Sequence, residues 1–327
     1  MLTRTASENE PSITTPFIYD RSLEAVWGAP GLYNADSLFK RIESGTITLR
    51  DLKIVEALFR HQYLTLQQIQ SMFFPDASRI RTVGDRLAKL GKMGILRELR
   101  WKRNGRLTHT RVFLLDVGGA ALLELYLGKQ FGDWHPRTLK RALSYVFSIL
   151  EANDLYMRLY QFAEELNGSG GISIPEIEPV LSLGKTASLG PMKFKTVIPT
   201  LSFEFWREFK PGETLNINFL IEVVRSSDHN ISFLTTKLRL YEHWFMSNPQ
   251  KKTVLVFMTE NEVQIREINK IIKALGFRTI EPLVRYSTDV MAGGSLSRFL
   301  VQFDSQDNLV AKTINLFKPV VVPDILS

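Results

Sequence analysis

The chain has no cysteine, which excludes disulfide bonds and cysteine-ligated zinc and leads us to expect a reducing, cytoplasmic setting. It has no apolar run near the roughly 20 residues that span a membrane, and residues 1–20 lack the layout of a secretion signal. Neither a P-loop nor a Gly-x-Gly-x-x-Gly stretch is present. The sequence therefore predicts no membrane partner and no cofactor.

Histidines are few and scattered along the chain. They form no pair at metal-ligand spacing, so we expect no bound metal and no relaxase-type site of clustered histidines around a tyrosine. One of them, His61, ends a predicted helix and is expected to face solvent or to cap that helix. The five are His61, His109, His135, His229 and His243.

What the chain does have is positive charge concentrated in one segment. The whole chain of 327 residues, long enough for two or three domains, carries a net charge of +7. Residues 46–116 hold 14 Lys and Arg against 6 Asp and Glu, a balance of +8, whereas the rest holds 27 against 28. A nucleic-acid partner explains this concentration better than a solvated basic face, which is the alternative.

The stretch 78–115, inside this basic segment, carries the most informative pattern. Its first part is predicted to be a short amphipathic helix that ends near Gly91 to Gly94. At 100° per residue, one apolar stripe forms, next to a polar flank that includes four residues with cationic or hydroxyl side chains. The stripe is Ile80, Val83, Leu87 and Leu90, and the flank is Arg79, Thr82, Arg86 and Lys89.

A β-hairpin is predicted directly after this helix. Asn104-Gly105 fits a type I′ turn, because both turn positions need positive φ. A helix with a basic flank and a hairpin with a basic tip are typical of a winged helix-turn-helix on duplex DNA. The candidate DNA-binding residues are Arg79, Arg81, Thr82, Arg86 and Lys89, for the major groove, and Lys102, Arg103 and Arg106, for phosphates or the minor groove.

Two further helices precede this unit, at residues 48–62 and 65–74. Thr48, Thr65 and, for the third helix, Ser78 are predicted to be the N-caps. Three short helices followed by a hairpin are the element order of a winged helix.

Beyond residue 171, strands alternate with helices, which predicts a mixed sheet covered on at least one face. Short strands are expected to include 277–280, and the last helix is expected at 308–316. A long helix over 137–166 is expected to brace the two halves or to support a dimer. The predicted fold class is α+β or α/β, with an N-terminal extension at 1–45, a winged-helix domain at 46–132, a connecting helix at 133–170 and an α/β domain at 171–327.

Three pieces of sequence resemble one known family in their order and spacing. They are the helix-turn-helix and hairpin that end in Leu115 to Gly119; the helix around 144–159, where the family usually begins with histidine and this chain has Tyr145; and the strands with Pro199-Thr200 and Glu222 to Arg225, before a helix with Lys237 and Tyr241. Over residues 46–258 the chain thus resembles the replication-relaxation family of bacterial plasmids and other mobile elements. The resemblance implies a winged helix joined to a domain like that of restriction endonucleases.

The resemblance suggests metal-dependent nuclease chemistry, which needs more carboxylates than this chain has at the matching motif positions. The family's Pro-Asp stands here as Pro199-Thr200, and its Glu-x-Asp ends in Val224, so of the usual groups only Glu222 remains. Glu204 and Lys237 are the residual catalytic candidates besides Glu222. We therefore expect no catalytic site, and a Glu222 that pairs with Lys237 or an arginine in a degenerate scaffold.

Three functions stay open at this point. The first is a non-enzymatic, sequence-specific double-stranded DNA-binding protein of a mobile element, acting in replication, transfer or transcriptional control. The second is a metal-dependent DNA-nicking enzyme or relaxosome component, and the third is an adaptor whose winged helix contacts protein. A homodimer, and replication or transfer proteins of the same element, are the protein partners that these hypotheses suggest.

Overall fold

The computed structural model describes residues 22–31, 33–74, 79–127, 141–167, 172–173, 199–210, 213–225, 231–249, 252–288 and 300–311. These ranges contain eight α-helices and two β-sheets, a mixed α+β architecture. No helix in them is both long and apolar enough to cross a membrane. The N-terminal elements are β1 (Glu24–Trp27), α1 (Ala35–Glu43), α2 (Leu49–His61), β2 (Leu64–Thr65), α3 (Leu66–Phe73), α4 (Ile80–Lys92), β3 (Leu96–Arg103), β4 (Arg106–Leu107), β5 (Val112–Leu115) and α5 (Val117–Leu127). The following elements are α6 (Leu143–Asn167), β6 (Ile172–Ser173), β7 (Leu201–Lys210), β8 (Glu213–Val224), α7 (Ile231–Ser247), β9 (Thr253–Thr259), α8 (Glu262–Ala274), β10 (Val284–Thr288), β11 (Val301–Phe303) and β12 (Leu309–Ala311).

The starts of α2 and α3 are fixed by capping boxes. Thr48 accepts a hydrogen bond from the backbone N–H of Asp51, whose carboxylate accepts one in return, and Thr65 and Gln68 do the same for α3. Both predicted caps are confirmed. The N-cap predicted for α4 was Ser78, but Arg79 occupies the N-cap position and its side chain forms no capping hydrogen bond. Ser78 lies outside the described residues.

The first sheet is formed by the N-terminal strands. Its order is β1-β3-β5-β2, with β4 pairing β3, and every pair is antiparallel. The short strand β2 lies between α2 and α3 in sequence but pairs with β5. The predicted hairpin therefore forms the centre of a larger sheet, and β2 and β1 extend it on its two sides.

The second sheet contains seven strands in the order β12-β11-β10-β9-β8-β7-β6. β8, β9 and β10 run parallel, with α7 and α8 in the two connections, and the other pairs are antiparallel. Parallel neighbours need such crossovers because the chain leaves one strand at the opposite end from where it must enter the next. The prediction of a mixed sheet with alternating helices is confirmed.

Two short elements of this half were predicted wrongly. Residues 277–280 form a turn rather than a strand, because the Glu242 carboxylate accepts the backbone N–H groups of Thr279 (3.0 Å) and Ile280 (2.9 Å). The described start of the last predicted helix is strand β12, which pairs with β11 across a turn held by Asp304. In both places, contacts with distant or paired segments override the local pattern.

The helix α6 lies between the two sheets. Residues 146–157 are all buried, so this helix has no solvent-facing side over three turns. Its first half packs against the N-terminal sheet through Phe147 and Leu150, and its later turns pack against β7 and β8 through Tyr156. Of the two roles expected for this helix, bracing of the two halves or support of a dimer, these contacts fit the first.

Buried polar side chains of α6 join it to both halves. Glu151 forms an ion pair with Arg225, and Asp154 accepts a hydrogen bond of 2.6 Å from Gln68 in α3. Asn153 donates through Nδ2 to the carbonyls of His61 (3.2 Å) and Tyr63 (2.8 Å). Such groups are costly to bury without partners, so these bonds fix α6 in one position.

The sequence prediction for His61 is wrong. Its ring is buried at the end of α2, and Nδ1 lies 2.8 Å from Asn153 Oδ1. Because that oxygen can only accept, Nδ1 carries the proton. Burial lowers the pKa of His61 to about 4. The hydrogen bond to Asn153 opposes this shift, and the nearby charge of Arg60 adds to it. The ring is therefore neutral near pH 7.

Candidate nucleic-acid interface

The helix α4 is held against the N-terminal core by a narrow apolar stripe. Val83, Leu87 and Leu90 are fully buried, as their spacing predicted. Ile80, the fourth member of that stripe, is 40% exposed because it stands at the first position of the helix. The opposite side of α4 is therefore free to meet a partner.

The solvent-exposed side of α4, called here the α4 face, carries most of the predicted base-reading residues. Arg81, Thr82 and Lys89 are exposed on it, and Arg79 is exposed at the N-cap. Sequence reasoning missed Lys92, which is exposed one turn after Lys89 and could have been found from the same helical period. The α4 face consists of Arg81, Thr82, Asp85, Ala88, Lys89 and Lys92.

Arg86 does not belong to that face. Its Nε donates to Asp51 Oδ1 at 2.9 Å, and its Nη2 donates to the carbonyl of Thr46 at 2.8 Å and to Asp51 Oδ2. Burial alone would raise the pKa of the Asp51 carboxyl, but hydrogen bonds from Arg86 and Thr48 outweigh it and lower that pKa. Arg86 thus fastens α4 to the N-terminus of α2, and its assignment to base reading is corrected.

The hairpin tip is built as its sequence predicted. Asn104 and Gly105 have φ values of 51° and 75°, which fit a type I′ turn. The backbone of Arg103 is paired with that of Arg106 across the turn. Both arginines are exposed, whereas Lys102 is half-buried. The tip therefore presents cations at the end of a two-stranded element.

Behind the tip, charges of the same strands are paired within the protein. Glu98 accepts hydrogen bonds from Arg111 (2.9 and 3.0 Å) and from Arg100. The Arg111 guanidinium also lies against Gly84 of α4, where a Cβ would come within 2.6 Å of Nη1. Gly84 therefore allows the close approach of the hairpin to α4.

In the second sheet, Glu222 has the internal ion pair that was predicted. It is 2% exposed near the end of β8, and its carboxylate accepts from Lys237 Nζ through Oε2 and from the Tyr241 hydroxyl through Oε1. Burial and then the Glu222 carboxylate raise the pKa of Tyr241 well above its usual range, which keeps its hydroxyl a donor. α7 supplies both partners.

Thr200, another described residue of the supposed nuclease motif at this place, is not an acid. Thr200 accepts a hydrogen bond of 3.2 Å from the backbone N–H of Val223, and its hydroxyl lies 3.5 Å from Glu222. Glu204 belongs to β7, but its side chain lies outside the described residues. Within those residues, no three His, Cys, Asp or Glu side chains gather as metal ligands.

Comparisons of the chain with protein-family models, with curated proteins and with solved structures find no significant match.

Proposed function

We propose that the protein binds double-stranded DNA in a sequence-specific manner through a winged helix-turn-helix. The observation that carries this proposal is the set of exposed cations on α4 and at the hairpin tip, in a segment with a charge balance of +8. The element order α2, β2, α3, α4 and hairpin, with β5 between β2 and β3, supports the winged-helix assignment. An exposed helix of this size fits a major groove.

In this proposal the two surfaces have different roles. Arg81, Thr82 and Lys89 on the α4 face meet base edges, with Arg79 and Lys92 beside them. Arg103 and Arg106, with Lys102 behind them, meet phosphates or the minor groove. Arg86 acts indirectly, because it holds α4 in place. Variants of the α4 face therefore change sequence preference, and variants of the hairpin tip change affinity on every sequence.

The test is duplex binding measured by fluorescence anisotropy over a range of salt concentrations. We expect Arg81→Ala, Lys89→Ala and Arg106→Ala together to weaken binding about hundredfold and to lower the salt slope by about one, because only Arg106 is assigned to phosphate. The matched control removes three exposed cations of the second half, Arg239, Lys252 and Lys270, and leaves both quantities unchanged. Equal losses from the two triple variants, or no binding by the wild type at low salt, would refute the proposal.

We further propose that the second half is a scaffold without nuclease activity. Both oxygens of Glu222 are engaged by α7, and Thr200 and Val224 are not carboxylates. A metal site would need more oxygen ligands than Glu222 alone can give. Incubation of supercoiled DNA with Mg²⁺ or Mn²⁺ tests this. Nicking by the wild type that is lost in Glu222→Gln would replace this proposal with the enzymatic alternative.

The setting that we propose is the cytoplasm of a bacterium that carries a mobile element. It rests on the resemblance of residues 46–258 to the replication-relaxation family. Mapping of bound DNA across chromosome and plasmid tests this setting. Sites at a replication or transfer origin, or at the promoter of the element's own genes, would support it, and sites spread over chromosomal genes would contradict it.

A further inference from the structure

One acidic residue stands among the cations of the α4 face. Asp85 is exposed one helical turn after Arg81 and one turn before Lys89, so it lies at the centre of that face. A carboxylate there faces the phosphates of any duplex that the helix approaches. It lowers affinity for DNA in general, and so it needs a reason that is specific to this surface.

The fold itself gives Asp85 little to do. Its carboxylate forms no hydrogen bond or ion pair with any residue that the structure describes. It stands at the sixth position of α4, beyond the first turn in which an acid gains from the helix dipole. Its cationic neighbours at i−4 and i+4 would contribute only a few tenths of a kcal/mol to an isolated helix. Helix stability therefore does not explain an acid at this position.

We propose that Asp85 is a specificity-determining residue that accepts a hydrogen bond from the exocyclic amine of a cytosine in the major groove. This inference rests on the DNA-binding function proposed above. An ionised carboxylate can only accept, and cytosine itself presents the N4 donor and no acceptor in the major groove. Guanine offers O6 and N7 and thymine offers O4, which repel a carboxylate, and adenine has the N7 acceptor next to its amine.

The short side chain of Asp85 and its small neighbour Ala88 suit this role. An aspartate reaches a base edge only where the helix lies deep in the groove, whereas the longer Arg81 and Lys89 reach base edges such as guanine from farther away. On a duplex without cytosine at the matching place, the carboxylate is left without a donor in a negative environment. The same residue therefore favours the correct site and penalises the others.

The experiment is selection of bound duplexes from a random library, with the full-length wild type, Asp85→Asn and Asp85→Ala. We expect one position of the wild-type motif to require cytosine. Asp85→Asn shifts that position toward adenine, because an amide both donates and accepts and so matches N7 and N6. Asp85→Ala loses the preference there by about fivefold or more. It also binds unrelated duplexes about twofold to tenfold more tightly, because a repulsive charge is gone.

The matched control is Asp36→Asn, which makes the same chemical change at an exposed position of α1. It leaves the selected motif and the affinity for unrelated duplexes as they are in the wild type. A wild-type motif that persists unchanged in both Asp85 variants overturns the assignment of Asp85 alone, whereas a wild type that binds DNA but selects no motif also overturns the sequence-specific part of the proposed function. A wild type that binds no duplex overturns the proposed function as well.

Discussion

Charged side chains point outward on the α4 face and at the hairpin tip, whereas around α6 and β8 they are buried and paired with each other. Arg81, Lys89 and Arg106 are exposed to solvent, and Glu151, Arg225 and Glu222 are buried. An exposed cation costs folding little and is available to a polyanion. A buried ion must have its partner, because an unpaired one is costly in the interior. Substitutions in the two regions should therefore affect different measurements.

The largest effect is expected at the pair between Glu151 and Arg225. Glu151→Gln removes the nearer counter-charge of the buried Arg225, keeps the partly exposed Glu260 at 4.0 Å, and should lower the free energy of unfolding by about 3 kcal/mol. Asp307→Asn makes the same change in the exposed pair with Lys273 and should cost no more than about 1 kcal/mol. Urea unfolding measures both. Similar costs in the two variants would mean that burial does not distinguish these pairs.

The next effect is the acid sensitivity that His61 confers. The folded protein holds this ring neutral with a pKa of about 4, below the usual value of 6.5, so the unfolded chain binds its proton first as pH falls. The contribution of the neutral ring to the free energy of unfolding is complete above pH 6.5. About 3 kcal/mol of it is lost as pH falls toward about 4. Unfolding of wild type and His61→Gln between pH 7 and pH 4 measures it.

The variant should be less stable near pH 7 and should show a flatter dependence on pH. His109→Gln, at an exposed histidine, is the control and should follow the wild type. A wild-type curve parallel to that of His61→Gln over this range would refute the buried, neutral ring.

A smaller pair of effects should separate two neighbouring cations of α4. Arg86→Ala removes the cationic partner of the buried Asp51, which keeps its hydrogen bonds from Thr48, and should lower the free energy of unfolding by about 2 kcal/mol. Lys89→Ala should leave stability unchanged and weaken duplex binding about tenfold. Urea unfolding and anisotropy on both variants check this. If Lys89→Ala destabilised the fold and Arg86→Ala did not, the division of α4 into two sides would be wrong.

The smallest effect is expected in the turn of the hairpin. Gly105 has a φ of 75°, so Gly105→Ala should cost about 1 kcal/mol of strain although open space surrounds the new Cβ. Gly91→Ala in α4 meets only an ordinary contact of 3.6 Å and should be neutral or stabilising. Thermal unfolding compares them. Equal melting temperatures would show that the turn tolerates alanine.

Much of the N-terminal half could be predicted because its signals are local. The caps at Thr48 and Thr65, the buried stripe of α4 and the turn at Asn104-Gly105 each depend on residues within a few positions of one another. The same holds for the exposed cations, since helical period alone indicates which side of α4 they occupy. Local patterns failed at 277–280 and at β12, where Glu242 and β11 decide the backbone.

The sequence by itself determined where positive charge is concentrated, which short elements form there and that positions 200 and 224, near Glu222, carry no carboxylate. Only the tertiary structure decided which of those charges are available. Arg86 is paired with Asp51 from 35 positions earlier, and His61 is buried against Asn153 from 92 positions later. A side chain's partner across such distances depends on how helices and sheets pack, and periodicity along the chain carries no record of it.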